Sequence, residues 1–400
     1  MPNPNLVARI AAGGELYENW TSVQVTRTYS SPTSDFAFSC AEVATGKKAR
    51  PIRLKPLDRA QIFLAGIQVI NGFIEVRNAG YDANQHQVIV QGRSQTCDIV
   101  DSSADAAEYK GYKIDQIVRG LIKPHGVSLV TKNLPAEAQK AIKEFRVQYG
   151  ETAWEAIERL GRMRGVFFTD DAQGNLVMSS VKGGGASVAD FVEGENILSA
   201  SAMLKSEGSF GRYQVSGQNR GTDEQNGAAV SQVSAQATNP AVRGNRKIIM
   251  VAEEPLDTKD AQARADREVA EAIAREVECV IVVPGWKRPD GQLWDVADHC
   301  TVQSPMLFPN ADGKVDLAIR QVVFSQSAPG QTLTTLSLCL PNALNILPGN
   351  DYAWGRAEYS IRQRSGSAAS GRFSLSCDVH KQSKTSECNV RMICHRPPGG

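Results

Sequence analysis

Four hundred residues, 42% apolar and 22% charged, make a globular chain too long for one ordinary core, so two to four domains are expected. A net charge of +1 supplies no basic stripe to grip duplex DNA, and 6% aromatics are too few for a base-stacking platform. The amino terminus lacks a basic region followed by an apolar one, and the most apolar run, 62–76, is broken by Gly66, Gln68, Asn71, Gly72 and Glu75. The chain therefore reads as one made and folded in a cytoplasm, without a membrane anchor.

Residues 6 to about 100 read as β-structure. Val23 and Val25 alternate with Ser22, Gln24 and Thr26, and Phe36, Phe38 and Cys40 alternate with Ala37 and Ser39. Segments 52–57, 67–76 and 88–90 supply further strands, which pack most naturally as a small Greek-key sheet or barrel. Gly92-Arg93 then leads to Asp98 and Asp101. Two acids three residues apart beside an arginine suit either an active pair or a structural ion pair. The structural reading is preferred, because no histidine or third polar group lies nearby.

From 106 to about 182 the pattern is mixed α/β. Asp115 is expected to cap a short helix whose Ile117, Val118, Leu121 and Ile122 share a side, with Pro124 and Gly126 ending it. Segment 127–130 is a strand, and Phe145, Val147 and Tyr149 alternate as another. Thr152 with Glu155 forms a capping box opening a helix that presents Trp154, Ile157 and Leu160 inward. A hairpin over 166–178 turns on 170–175. Lys182-Gly-Gly-Gly185 lacks the order of a phosphate loop and reads as a flexible joint.

From 190 to about 345 the pattern is β again, with strands expected at 191–198, 212–217, 247–252, 301–304, 319–326 and 332–340. A Ser/Gln/Ala-rich insertion between Gly217 and Asn245 reads as a mobile loop or partner segment. The most regular stretch runs from Asp257 to Trp294. Ala261, Ala265, Val269, Ile273 and Val277 recur every fourth residue on a helix capped by Asp257, with Asp260 complementing its dipole. Its outer face pairs Arg264 with Glu268, Arg267 with Glu271, and Glu271 with Arg275. At Glu276 the period changes to two, so Val277, Cys279, Ile281 and Val283 face one way. Pro284-Gly285 stops that strand, 288–291 is a turn, and 292–294 begins the return strand of a hairpin. A helix this poor in bulky residues suits close packing on a sheet.

Five of the eight cysteines, Cys40, Cys97, Cys279, Cys300 and Cys339, lie singly in apolar stretches and read as small buried hydrophobes. The Ser-rich carboxyl end carries Cys377, His380, Cys388, Cys394 and His395. These could ligate zinc, but their spacing is irregular and no core surrounds them. A disordered tail, one whose thiols cross-link to neighbours, or a shifted reading frame explains it better. The layout is thus α+β and β-dominated: a first barrel-like domain at 1–105 and a mixed α/β module at 106–192. A second barrel-like domain follows at 193–346, with helix 258–276 and mobile loop 218–245, and then a tail at 347–400.

Seven stretches carry a likeness beyond periodicity. They are Trp20 to Arg27; Gly92-Arg93 through Asp98 and Asp101; and Asp115 to Val118 with Pro124 and Gly126. The others are Glu151 to Ala156, Gly194 to Leu198, Asp260 to Glu268, and Gly285-Trp286 followed by Asp290 to Trp294. In that order and spacing the chain resembles the Mu-type phage baseplate hub proteins, which join a contractile tail's tube to its central spike. The resemblance implies a homotrimer whose subunits each contribute two tail-tube-like β-barrel domains, so that a pseudo-sixfold ring meets a threefold spike. It implies contacts with the tail tube, central spike, baseplate wedge and tape measure proteins, with DNA only as passing cargo. Trp20, Gly92, Arg93, Asp98, Trp154, Trp286, Asp290, Gly291 and Trp294 are the structural positions it marks. It implies no catalytic, cofactor-binding or metal-binding residue.

The competing class is a tail-associated cell-wall hydrolase. A glycosidase needs two carboxylates across a cleft, and Asp98 with Asp101 and Asp170-Asp171 are the obvious acid clusters. His299-Cys300 suggests a nucleophile pair, but adjacent strand residues face opposite ways.

Overall fold

A computed structural model of the chain describes residues 6–29, 31–41, 52–82, 86–180, 186–217, 233–251, 257–309, 313–328 and 330–344. The Lys182 to Gly185 joint and the whole 347–400 tail, with its cysteines and histidines, lie outside the described residues.

The first segment forms β1 (Ala8–Ala12), β2 (Glu15–Tyr17), β3 (Ser22–Thr28), β4 (Asp35–Ala41), β5 (Arg59–Leu64), β6 (Ile67–Tyr81) and β7 (His86–Ser94). The last forms β13 (Ser187–Val192), β14 (Ser199–Leu204), β18 (Val277–Pro284), β19 (His299–Gln303), β20 (Lys314–Ser327) and β21 (Thr332–Cys339). The two segments share one sheet, because β3 pairs antiparallel with the second half of β20, Val25 opposite Phe324. Each segment repeats the other's strand order, with one difference of direction: β1 runs antiparallel to β5, whereas β13 runs parallel to β19. The spatial order β3-β4-β7-β6-β5-β1 is matched by β14-β18-β21-β20-β19-β13, and the strands follow each other along the chain in the same sequence. Even the irregularities correspond. Register slips at Glu75 in the β6–β7 ladder and at Arg320 in the β20–β21 ladder.

Period-two alternation drives this. Phe38, Ile281 and Phe324 are fully buried in one continuous cluster that draws on both segments. Each such side chain contributes about 2 kcal/mol on leaving water. Neither six-stranded set closes into a barrel among the described residues, since its end strands do not pair with each other. In place of the expected barrels stand open strand sets joined edge to edge.

Between them lies a separate cluster built from α1 (Cys97–Asp101), β8 (Glu108–Tyr109), α2 (Ile114–Ile122), β9 (Leu129–Lys132), β10 (Phe145–Arg146), α3 (Ala153–Arg164), β11 (Phe167–Asp170) and β12 (Leu176–Ser179). The Thr152–Glu155 capping box forms as expected. Gly165 ends α3 in the left-handed conformation, and β11 and β12 make the expected hairpin. A third cluster packs α4 (Thr258–Ala274) on the sheet β16-β15-β17, formed by Val233–Thr238, Arg212–Gly217 and Lys247–Val251. Ala261 and Ala265 are fully buried there against Ala235 and Ala237, so the small residues do allow close approach.

Several expectations are corrected. Segment 52–57 is no strand: Leu54 plugs the core, while Pro56 cannot donate and Leu57 takes a left-handed turn. The expected strand at 191–198 breaks at Gly194, where φ is +82°. Tyr149 is exposed; the strand ends at Arg146, with one further bond from the Val147 N–H to the Ala107 carbonyl. Asp115 lies in the first turn of α2, whose cap is Lys113. The expected mobile loop 218–245 contains β16, where Val233, Ala235 and Ala237 alternate onto α4; residues 218–232 lie outside the described residues. Finally, β18 does not form a hairpin with 292–294. Its neighbours are β14 and β21, and the return is a single bridge between Lys287 and Leu293.

Gly92 faces Ile74 across the β6–β7 ladder, and a Cβ there would meet the Phe73 carbonyl oxygen at 2.1 Å and the Phe36 ring at 2.5 Å. Gly92→Ala is expected to destabilise the fold by about 2 kcal/mol or more, read as a lowered thermal midpoint. An unchanged midpoint would contradict this packing.

Candidate functional site at the junction of the modules

The aromatic positions singled out in sequence are packing anchors. Trp20 is buried edge-on to Phe38 at 5.1 Å and donates to the Tyr17 carbonyl. Trp286 is fully buried and donates to the Ser325 carbonyl at 3.2 Å. Trp294 packs on Phe191 at 5.4 Å. Trp154 is only half-buried, edge-on to Phe168, while Ala153, Ala156, Ile157 and Leu160 form the inward face of α3.

Charge at Arg93 and Asp290 is paired. Arg93 makes two 2.6 Å bonds to Glu75 and a second fork to Asp101, tying β6, β7 and α1 together. Asp98 is exposed in the first turn of α1 and does not join Asp101 in a shared site. In the 288–291 turn, Gly291 has a φ of +85°. Asp290 accepts from the Gln292 N–H and from Arg288, and these bonds hold its carboxyl below the usual range. Arg288 also reaches Asp298 at 2.6 Å.

The second acid cluster divides as well. Asp171 ties its own turn, accepting from the backbone of Gln173 and Asn175. Asp170 is buried and points the other way, taking the Ser34 N–H at 3.0 Å and the Ser34 hydroxyl at 2.7 Å. Arg27, at the end of β3, donates to the Asp170 carbonyl at 3.0 Å and to the Asp295 carboxylate at 2.6 Å. One guanidinium thus holds the first segment, the middle module and the last segment together. Burial alone would depress it, but Asp295 and Asp170 raise it above its ordinary value.

The sequence reading missed this junction, although a signal existed. Val23, Val25 and Arg27 share one phase of β3, so a cation stands where an apolar residue is expected. Phe168 and Asp170 do the same on β11.

Nothing at these positions suits catalysis. His299 and Cys300 are neighbours on β19, and burial raises the Cys300 thiol far from nucleophilic range. Burial likewise pushes Cys97, Cys279 and Cys339 up to about 12. No group of three or more metal-ligating side chains occurs among the described residues, and no described helix is long and apolar enough to cross a membrane.

Arg27→Ala is expected to cost about 3 kcal/mol, since it strips a partly buried ion pair of one partner. Asp170 is raised by burial, so the folded state holds its proton more tightly than the unfolded state. Its contribution is therefore full below the ordinary carboxylate range and shrinks as pH rises through the raised value. The stability difference between wild type and Asp170→Asn should fall with rising pH in denaturant titrations; a difference that grew with pH would contradict the burial.

Comparison with known proteins accounts for this pattern of structural pairing. Residues 8–94 match the profile "Mu phage baseplate assembly protein GpP-like, N-terminal", 96–180 match "Baseplate hub protein gp44-like, second domain", and 257–346 match "Mu phage baseplate assembly protein GpP, fourth domain". The chain is 31% identical over 291 residues to baseplate hub protein gp44 of Escherichia phage Mu, covering 71% of this chain and 76% of that one. A 43 kDa tail protein of prophage MuSo2 from Shewanella oneidensis shares the fold with a TM-score of 0.75 at 23% identity, over 86% of this chain and 100% of that one. The Escherichia coli protein c3393 aligns with a TM-score of 0.52 at 12% identity, over 85% of this chain and 79% of that one. It is described as a type VI secretion component structurally similar to the T4 tail proteins gp27 and gp5. The chain is a structural tail component, not an enzyme. It belongs to the Mu-type phage baseplate hub family.

Proposed function

We propose that three copies of this chain form an adaptor joining the sixfold tail tube to the threefold central spike and surrounding the DNA channel. The observation that carries this is the repeated six-strand plan on one continuous sheet. Two tube-like, barrel-related folds per polypeptide let three chains present six similar units to a tube while keeping threefold symmetry for a spike. The strands from β1 to β7 and those of the last segment from β13 to β21 are these two units, and the cluster from α1 to β12 is the module between them, so the boundaries expected at 105 and 192 fall instead before Cys97 and before Ser187. The likeness to c3393, itself compared with T4 gp27 and gp5, supports a spike as the distal partner. Tube, wedge and tape measure proteins are the other neighbours, and assembly takes place in the host cytoplasm before the hub enters the tail baseplate.

DNA is cargo here, not ligand. Ser22, Gln24, Ser39, Gln87, Ser325, Gln326 and Gln331 line a depression of about 360 Å³ across β3, β4, β7 and β20 with no lysine or arginine among its residues. Such a surface gives phosphates nothing to exchange counterions with.

Light scattering of the purified chain is expected to give three times its 43.3 kDa mass. A monomer, or an assembly that is not a multiple of three, would contradict the adaptor reading.

A further inference from the structure

The repeat has an unsatisfied half. In β20 the first half pairs with β19, and the second half, on that same edge, takes β3. In β6 the first half pairs with β5 in the corresponding way, yet among the described residues no strand pairs with that edge beyond Phe73. Likewise β14, the counterpart of β3, pairs only with β18 and ends the sheet. Ile74 on that edge is bonded to Leu57 and Asp58, as Ile319 is to Ala297 and Asp298, so the unpaired stretch of β6 begins at Val76. One copy of the repeat thus has a seam, and in the other the matching strand stretches have no strand partner among the described residues.

The geometry points to a second copy of this chain as the occupant: β14 of one copy adds antiparallel to the second half of β6 in the next, reproducing the β3–β20 seam between chains. This deepens the trimeric reading and rests on it. The register follows from the ladders. Ser22 and Ser199 occupy matching places opposite Ser39 and Val282, while Val76 and Gln321 each follow the matching slips at Glu75 and Arg320. Within the chain, Gln24 faces Ser325 and Val25 faces Phe324. Between chains, Ser201 therefore faces Gly80 and Ala202 faces Ala79, with Leu204 opposite Arg77 and Ala200 opposite Tyr81.

Three observations support that register. The Lys205 N–H bonds to the Glu276 carbonyl toward β18, so alternation turns the backbone groups of Ala200, Ala202 and Leu204 outward. Their counterparts Val23, Val25 and Arg27 make the seam bonds within the chain, bracketed by Tyr29 N–H to the Arg320 carbonyl and Ala328 N–H to the Thr21 carbonyl. The two open edges also carry exposed apolar side chains, Met203 and Leu204 on β14 and Val76 and Tyr81 on β6. Unprotected edges of this kind call for a strand partner. Finally, a Cβ at Gly80 meets nothing within 4 Å in the single chain, so the space beside it is open to a neighbour.

The test is disulfide trapping in the full-length chain, with Cys377, Cys388 and Cys394 changed to serine throughout. Ser201 and Gly80 form a non-hydrogen-bonded pair, where Cα atoms sit about 4.5 Å apart and a disulfide fits. Ser201→Cys with Gly80→Cys, oxidised by copper phenanthroline, is expected to give covalent dimers and trimers on non-reducing gels. Each single variant should give none, and the off-register pair Ser201→Cys with Asn78→Cys should give at least tenfold less. A native trimer that does not cross-link, or that cross-links best off register, overturns this seam and leaves the adaptor reading standing. A cross-linked assembly that is not a multiple of three supports the seam and overturns the trimer. A monomer that never cross-links overturns both.

Discussion

The pairing of β3 with β20 is the constraint on which the rest of the structure depends. It joins residues about as far apart in sequence as the described chain permits, Ser22 with Ser327 among them. Such a contact repays its loop-closure entropy only if everything between is already compact or can be set aside. The chain meets that demand with two self-contained hydrophobic clusters, one around α2 and α3 and one around α4, that do not contribute to the shared core. The seam itself is then apolar on the inner face, where Val23 and Val25 meet Phe324 and Val322, all fully buried or nearly so.

Arg27 sits in that seam opposite Val322, so the junction charge marks the place where the two repeats and the middle module converge. A buried cation is a poor source of net stability, because desolvation offsets most of its attraction. Its geometry is specific, however: a planar fork with one arm on a carboxylate and one on a backbone carbonyl fixes the orientation of three segments at once. The bulges at Glu75 and Arg320 serve the same end. Each re-aims its strand, and Glu75 then reaches Arg93, which in turn holds α1 at the entrance to the middle module.

Local structure was legible in the sequence wherever one face of an element is buried and the other wet. The alternation in β3, β4 and β18, the capping box of α3, and the four-residue spacing of α4 each specify their element and their inward side. Tertiary organisation was less so. The repeat is invisible by inspection because the two copies share a burial pattern and not residues: Phe38 corresponds to Ile281 and Gly92 to Leu338 by their places opposite β7 and β21 partners. The insertion of β15 to β17 and α4 between β14 and β18 hides it further. The same insertion makes β18 look in sequence like one arm of a hairpin, although its neighbours β14 and β21 lie far away along the chain. The sequence presents Asp170 as the start of a turn and gives Arg27 no junction role, because single charges at strand ends look alike whether or not a partner segment covers them.

The central claim is that one sheet plan, used twice per chain, is what makes a threefold object compatible with a sixfold one. A cryo-EM reconstruction of the assembled hub tests it most directly. The account predicts six similar strand sets around the axis at near 60° intervals, with the sheet unbroken at every boundary. Three compact subunits separated by gaps in the strand density, or two repeats lying at different distances from the axis, would contradict it.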